Sequence, residues 1–244
     1  MKTYPKPANE SERLAALQQY SILDTDPEPA FDELAQLATR ICRTPIGLVS
    51  FVDAERQWNK SRLGWEIMEI PRQHSFCAHA ILQEDVFQVE NAADDPRFAH
   101  FPQVAGDPHI RFYAGMPLQT RFYAAVPLVT RDGHALGTLC VMDQVPRQLD
   151  ADQLHALRTL SKQVVAQLEL RRSLIELDAR HRQVESALRD SEAFYHSLVE
   201  NLPQNIFRKD LAGRFTFANQ RFCSTIGHAF DEIMGKTDFD FFPA

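Results

Sequence analysis

Three side chains able to hold a metal or attack an electrophile, His74, Cys77 and His79, fall within six residues of one another. Imidazole and thiolate are donors that zinc takes, but a zinc site wants four and the flanking sequence offers no obvious fourth. On a helix through 77–83, Cys77 and His79 project roughly 200° apart, which argues against a shared ion. The other chemistry is nucleophilic. A thiol attacks only as the thiolate, so it needs a base or positive neighbour to lower its pKa, and His74 or His79 could serve. The competing reading is a buried structural thiol. No Gly-rich phosphate loop is present, the nine glycines being scattered along the chain.

The elements that must position these residues follow from periodicity. Asn9 with Glu12 three residues later reads as a capping box opening a first helix through Leu14 and Leu17. Phe31, Leu34, Ala38 and Ile41 give a second helix, from about Pro29 to Arg43, one buried face, and Pro45 ends it. Ile46 to Val52 is apolar on both faces, as an inner strand covered on two sides must be, and Gln57 to Arg62 is its antiparallel partner. Phe76 to Gln83 carries a short helical pattern and Val86 to Glu90 a strand pattern. Asp132-Gly133 marks a hairpin between two further strands.

One segment occurs twice. Arg111 to Thr120 reads RFYAGMPLQT and Arg121 to Thr130 reads RFYAAVPLVT, with seven of ten positions identical. Ten is even, so a slip by one unit keeps every side chain on its own face of a sheet, and either copy can fill the same place. A neutral duplication looped out at the surface and a strand-slip switch are both open readings. Pro117 and Pro127 call for an edge or a bulge in each copy.

From about Asp150 to Asn201 the pattern is one long helix, stopped by Pro203. Within it Leu170, Leu174, Leu177, His181, Val184, Leu188, Ser191, Tyr195 and Leu198 recur four and three apart, a heptad seam suited to a partner helix. Charges such as Glu176, Arg180, Arg182, Glu185 and Arg189 flank it. Polar His181 and Ser191 suit an adjustable seam more than a permanent one. Folding back of the helix on its own domain is the alternative.

Bulk composition narrows the class. With Lys plus Arg at 26 and Asp plus Glu at 33, the net charge is −7 and there is no basic run to meet nucleic acid. No apolar stretch nears the roughly 20 residues that span a bilayer. Four scattered cysteines, Cys42, Cys77, Cys140 and Cys223, make no CxxC pair, which points to a reducing cytoplasm.

Several blocks in order carry a family resemblance: NESERLAALQQYSILDT (9–25), PIGLVSFVDAERQW (45–58), HSFCAHAIL (74–82), DDPRF (94–98), IRFYAGMPL (110–118) and GHALGTLCVMD (133–143). The stretch 9–172 resembles a GAF domain of bacterial signalling proteins. The resemblance implies an α+β fold, an antiparallel sheet flanked by helices with a small-molecule pocket on one face. From about Ser191 the chain resembles the first half of a PAS domain, in SEAFYHSLVENLPQNIFRKDLAGRFTFANQRF and IMGKTDFDFFP. Apolar Phe239, Phe241 and Phe242 would then be left exposed at an unfinished sheet. The organisation read from this is a sensory domain over 1–149, its terminal helix continuing to about 172, a helix over 150–198 with the seam at 170–198, and an incomplete PAS-like segment over 199–244.

The resemblance places the HSFCAHAIL block beside the pocket. Bilin-binding relatives set Cys and His side by side, whereas here Ala78 intervenes. Of the Asn-Lys-Phe-Asp-Glu motif of cyclic-nucleotide-binding relatives only Asn59-Lys60 is present, and His155 and His181 lack the flanking pattern of a kinase phospho-acceptor. The ligand-contact candidates are Trp58, Arg72, Phe76, Cys77, His79, Tyr113 and Tyr123, chosen as large or polar groups suited to a mostly apolar pocket. The dimer-seam candidates are Leu170, Leu174, Leu177, Val184, Leu188, Tyr195 and Leu198. The implied function is the sensory input of a signalling protein of histidine-kinase or diguanylate-cyclase type, non-enzymatic by itself, binding an unidentified small ligand and relaying through a homodimeric helix to an output domain. A thiol enzyme centred on Cys77 and a ligand-free assembly module are the alternatives.

Overall fold

A computed structural model of the chain describes residues 5–120 and 133–241. Tyr123, Pro127 and the second copy of the repeat lie outside the described residues, as do Asp132 and Phe242. Two compact units divide the chain, residues 1–175 and 176–244.

The first unit begins with helices α1 (Glu10–Gln19) and α2 (Pro29–Cys42). Strands β1 (Ile46–Val52), β2 (Arg56–Leu63) and β3 (Glu69–Pro71) follow, then a 3-10 turn over Arg72–His74 and the short helix α3 (Phe76–Ala80). Next come β4 (Phe87–Val89), α4 (Pro102–Ala105), β5 (Phe112–Thr120) and β6 (His134–Asp143), and helix α5 runs over Ala151–Asn201. The six strands form one sheet in the order β3-β2-β1-β6-β5-β4, every pairing antiparallel. An all-buried β1 sits at its centre, which is why its residues are apolar on both faces.

Alternation along β1 sorts the core into two layers. Val49 and Phe51 face α1, α2 and the first turns of α5 with Leu17, Phe31, Leu157 and Val164. Leu48 and Val52 face α3 and the 90–111 loops with Phe76, Phe98, Phe101 and Ile110. α2 lies close against β1 because Gly47 has no side chain. A Cβ there would stand 2.4 Å from Thr39 Cγ2 and 2.9 Å from the Ala35 carbonyl oxygen.

Two sequence expectations are corrected. Asn9 precedes α1 without a side-chain cap. Its amide instead meets His134 Nδ1 at 3.2 Å, so no capping box forms. The buried face of α2 runs through Phe31, Ala35, Ala38 and Cys42, while Ile41 is exposed. The stripe steps 4-3-4 rather than 3-4-3, which turns Leu34 to its margin.

The first copy of the repeat, Arg111–Thr120, supplies β5, held between β4 and β6. Pro117 falls where the β5–β6 register shifts and beyond the last β4 partner, Gly115, so a missing N–H is tolerated there.

The second unit contains the rest of α5, the hairpin β7 (Phe207–Lys209) and β8 (Phe215–Ala218), and helices α6 (Gln220–Ile226) and α7 (Phe230–Ile233). Its small core gathers Phe215, Ala218, Phe222, Cys223 and Ile233. Phe239 is exposed and Phe241 is half-buried, 6.2 Å from the Phe215 ring. Of the helices described, none is long and apolar enough to cross a membrane.

Candidate functional site

Ser75 caps α3, its hydroxyl accepting from Ala78 N at 2.9 Å, and this sets the helix down on the sheet with Cys77 pointing into it. The Ser75 hydroxyl donates to Gln57 Oε1 at 2.6 Å. Gln57 Nε2 donates to Asn59 Oδ1 at 2.8 Å, and the Ser50 hydroxyl donates to the same oxygen at 2.8 Å. Four buried polar side chains therefore tie α3 to β1 and β2. Full pairing is the condition on which such a network can be buried.

Cys77 meets β5 and β6 in this floor. The Thr138 hydroxyl donates to its Sγ at 3.0 Å and the Tyr113 hydroxyl at 3.5 Å, while Cys140 Sγ is 4.0 Å away. Tyr113 reaches it because Gly115 leaves room. A Cβ at 115 would fall 2.1 Å from the Tyr113 hydroxyl. Burial raises the Cys77 pKa, but donation from Cys140, Thr138, Tyr113 and Ser50 outweighs it and brings the thiol to about 7. Cys140 moves the other way, since its hydrogen bond to Cys77 and its burial favour the protonated form. Cys77 is thus the thiol of the pair that ionises first.

Above the sulfurs the space is filled by rings. Phe76 stacks on Tyr113 at 5.0 Å and packs on Phe98 at 4.8 Å and Phe101 at 5.4 Å. Each such pair is worth about 0.5–1.5 kcal/mol beyond its buried area. What remains is a cavity of about 10 Å³ lined by Trp65, Gln57, Phe76, Cys77, Tyr113 and Cys140, among others. That is on the order of one water molecule.

Of the sequence candidates, Phe76, Cys77 and Tyr113 come together at this cavity. His79 stands beside it, edge-on to Phe98 at 4.9 Å. Burial and the nearby Arg97 hold His79 below its ordinary pKa, against the opposing charge of Asp95, and burial and His100 do the same for His74, which favours the neutral imidazole in both. Trp58 lies on the opposite face of the sheet, stacked on Phe51, and borders a groove of about 450 Å³ between α2 and β2. Arg72 is buried in an ion cluster. Its Nη1 donates to Glu10 and to the Asp53 carbonyl, and Glu10 also pairs with Arg13 at 2.8 Å. Tyr123 lies outside the described residues. Cys140, Thr138, Ser50, Gln57 and Trp65 were not singled out from sequence. The signal available was period-two polar spacing, Gln57 with Asn59 and Thr138 with Cys140, inside strands otherwise buried.

A GAF domain model matches residues 26–168, more than half of the chain. The chain belongs to the GAF domain family. Beyond this GAF domain, a PAS fold model matches residues 199–244. A cyclic di-GMP phosphodiesterase of Pseudomonas aeruginosa is 39% identical over 179 residues, covering 73% of this chain. The chain spans 29% of that relative's length. Among solved structures, the GAF domain of an Acinetobacter phosphoenolpyruvate-protein phosphotransferase aligns over 68% of this chain and 98% of its own, with 14% identity and a TM-score of 0.47. A free methionine-R-sulfoxide reductase of Neisseria meningitidis aligns over 71% and 99%, with 16% identity and a TM-score of 0.46. This GAF domain thus sits ahead of a PAS-type segment in a chain related to a signalling enzyme.

Proposed function

We propose that this chain is the sensory input region of a bacterial signalling protein, relaying the state of the GAF cavity through a dimeric α5. The observation that carries the reading is the apolar row left in solvent on that helix. Leu177, Val184, Leu188 and Tyr195 are each more than half exposed, at steps of seven, four and seven residues that keep to the heptad seam a partner helix would cover. Upstream, β6 carries Cys140 of the cavity wall and Thr138, which donates to Cys77, and leads through Asp143 toward α5. An occupant that fits one arrangement of this wall better than another biases the helix by that difference in affinity, and by no more. The reading assigns catalysis to an output domain, of cyclic di-GMP or histidine-kinase type, and none to this region. A cytoplasmic location belongs to the same reading. The relationship to a cyclic di-GMP phosphodiesterase supports the signalling context.

The small cavity favours a second reading, an assembly module whose pocket is filled by its own aromatic rings. Native mass spectrometry beside a denatured run separates the two. A dimer carrying an extra mass supports the sensor, a bare dimer supports assembly, and a monomer refutes the helix mechanism of both.

A further inference from the structure

We propose that Cys77 and Cys140 are a peroxide-reactive pair that closes to an intramolecular disulfide across the floor of the GAF cavity. Their sulfurs are 4.0 Å apart and both line the same space. Bond formation needs about 2 Å of approach, to an S–S length near 2.05 Å. α3, which carries Cys77, is only five residues long, so the element that has to move is small. The cavity is also provisioned for a polar guest. Trp65 lines it, is 8% exposed, and has an Nε1–H with no hydrogen-bond acceptor among the described residues. A buried N–H left unpaired costs about 1–3 kcal/mol, and one oxygen of hydrogen peroxide, the smallest hydroperoxide, would satisfy it. Its second oxygen exceeds the one-water space and needs the same movement of α3 that the S–S bond does.

The chemistry balances with a hydroperoxide as oxidant. Cys77 sulfur attacks the O–O bond, an S–O bond forms, the O–O bond breaks, and the departing alkoxide or hydroxide takes the Cys77 proton. Cys140 sulfur then attacks the resulting sulfenic acid. The S–S bond forms, the S–O bond breaks, and hydroxide leaves with the Cys140 proton as water. Two thiols lose two electrons and the peroxide gains them. Thr138 and Tyr113, which donate to Cys77 in the reduced form, favour Cys77 as the attacking sulfur. Cys42 belongs to the core on the other face of the sheet and Cys223 to the second unit, so neither competes for this partner.

The bond does not depend on the sensor reading, since a monomeric chain without a ligand could still form it. The test treats the whole chain with stoichiometric hydrogen peroxide, blocks free thiols, and maps peptides by mass spectrometry with and without dithiothreitol. A Cys77–Cys140 crosslink that the reductant removes is the expected result in the wild type. In Cys140→Ser the same treatment should leave a dimedone-trapped sulfenic acid on Cys77. The proposal is overturned if both cysteines stay alkylatable, if the crosslink joins Cys42 or Cys223, or if Cys77 passes to sulfinic acid with Cys140 still free. The wild-type mapping decides the matter even where a variant folds poorly.

Discussion

Glu10→Gln should destabilise the GAF unit by about 3 kcal/mol at pH 7. Glu10 is the carboxylate between two guanidinium groups, and the side chains of Arg13 and Arg72 are 1% and 0% exposed against its own 15%. Burial by itself would raise its pKa, but hydrogen bonds and charge from Arg13 and Arg72 bring it from 4.5 to about 2. At 1.36 kcal/mol per pKa unit that displacement is about 3 kcal/mol, in the range of about 3–5 kcal/mol found when one partner of a buried pair is removed. The sign follows from linkage. A carboxyl depressed in the folded state stabilises it above the unfolded pKa near 4.5 and loses that contribution as pH falls toward about 2. The gap between wild type and variant should therefore shrink from about 3 kcal/mol at pH 7 to about 2 kcal/mol near pH 3.5. Urea unfolding followed by the fluorescence of Trp58 and Trp65, both in the first unit, reads it directly. With a urea slope of about 2 kcal/mol/M, the midpoint falls by about 1.5 M at pH 7. A midpoint shift below about 0.5 M on that slope, or a gap that does not narrow with acid, would refute the reasoning.

Three further outcomes are expected. Leu177→Asp with Leu188→Asp should turn a dimer into a monomer by light scattering while leaving the thermal transition of the GAF unit in place; a persisting dimer removes the seam. Gly115→Ala should cost about 1–3 kcal/mol by forcing the Tyr113 hydroxyl off Cys77, and the penalty should largely vanish in a Tyr113→Ala background; equal penalties in both backgrounds would show that the two do not interact. Asn219→Ala should loosen the second unit by about 2–4 kcal/mol, because the fully buried amide accepts from Ile206 N and Phe222 N and donates to the Val199 and Gln204 carbonyl oxygens. Unchanged hydrogen-exchange protection across 206–226 would count against it.

The order of elements was legible in the chain because it rests on local periodicity. β1 is apolar on both faces, β2 follows a short turn, and α5 is a long uninterrupted pattern, and each is where its spacing puts it. The family blocks were legible for the same reason, since they are strings of consecutive residues. What the sequence left open depends on where distant strands land. Trp58 and Phe76 were grouped as ligand candidates by type, yet they stand on opposite faces of the sheet. Their separation depends on strand register, including the shift between Val49 and Ser50 where β1 pairs with β2, which no local pattern announces. Asn9 had the spacing of a capping box, but a partner 125 residues away, His134, takes its side chain. Cys77 and Cys140 are 63 residues apart and Glu10 and Arg72 are 62 apart. The chain alone determined the main segments, α1, α2, β1, β2 and α5, because they follow from repeats of two and 3.6 residues, but not which residues of α2 are buried. Tertiary structure alone decided which polar groups meet and how much space Phe76, Phe98, Phe101 and Tyr113 leave between them, because pairing and volume are properties of many segments packed at once.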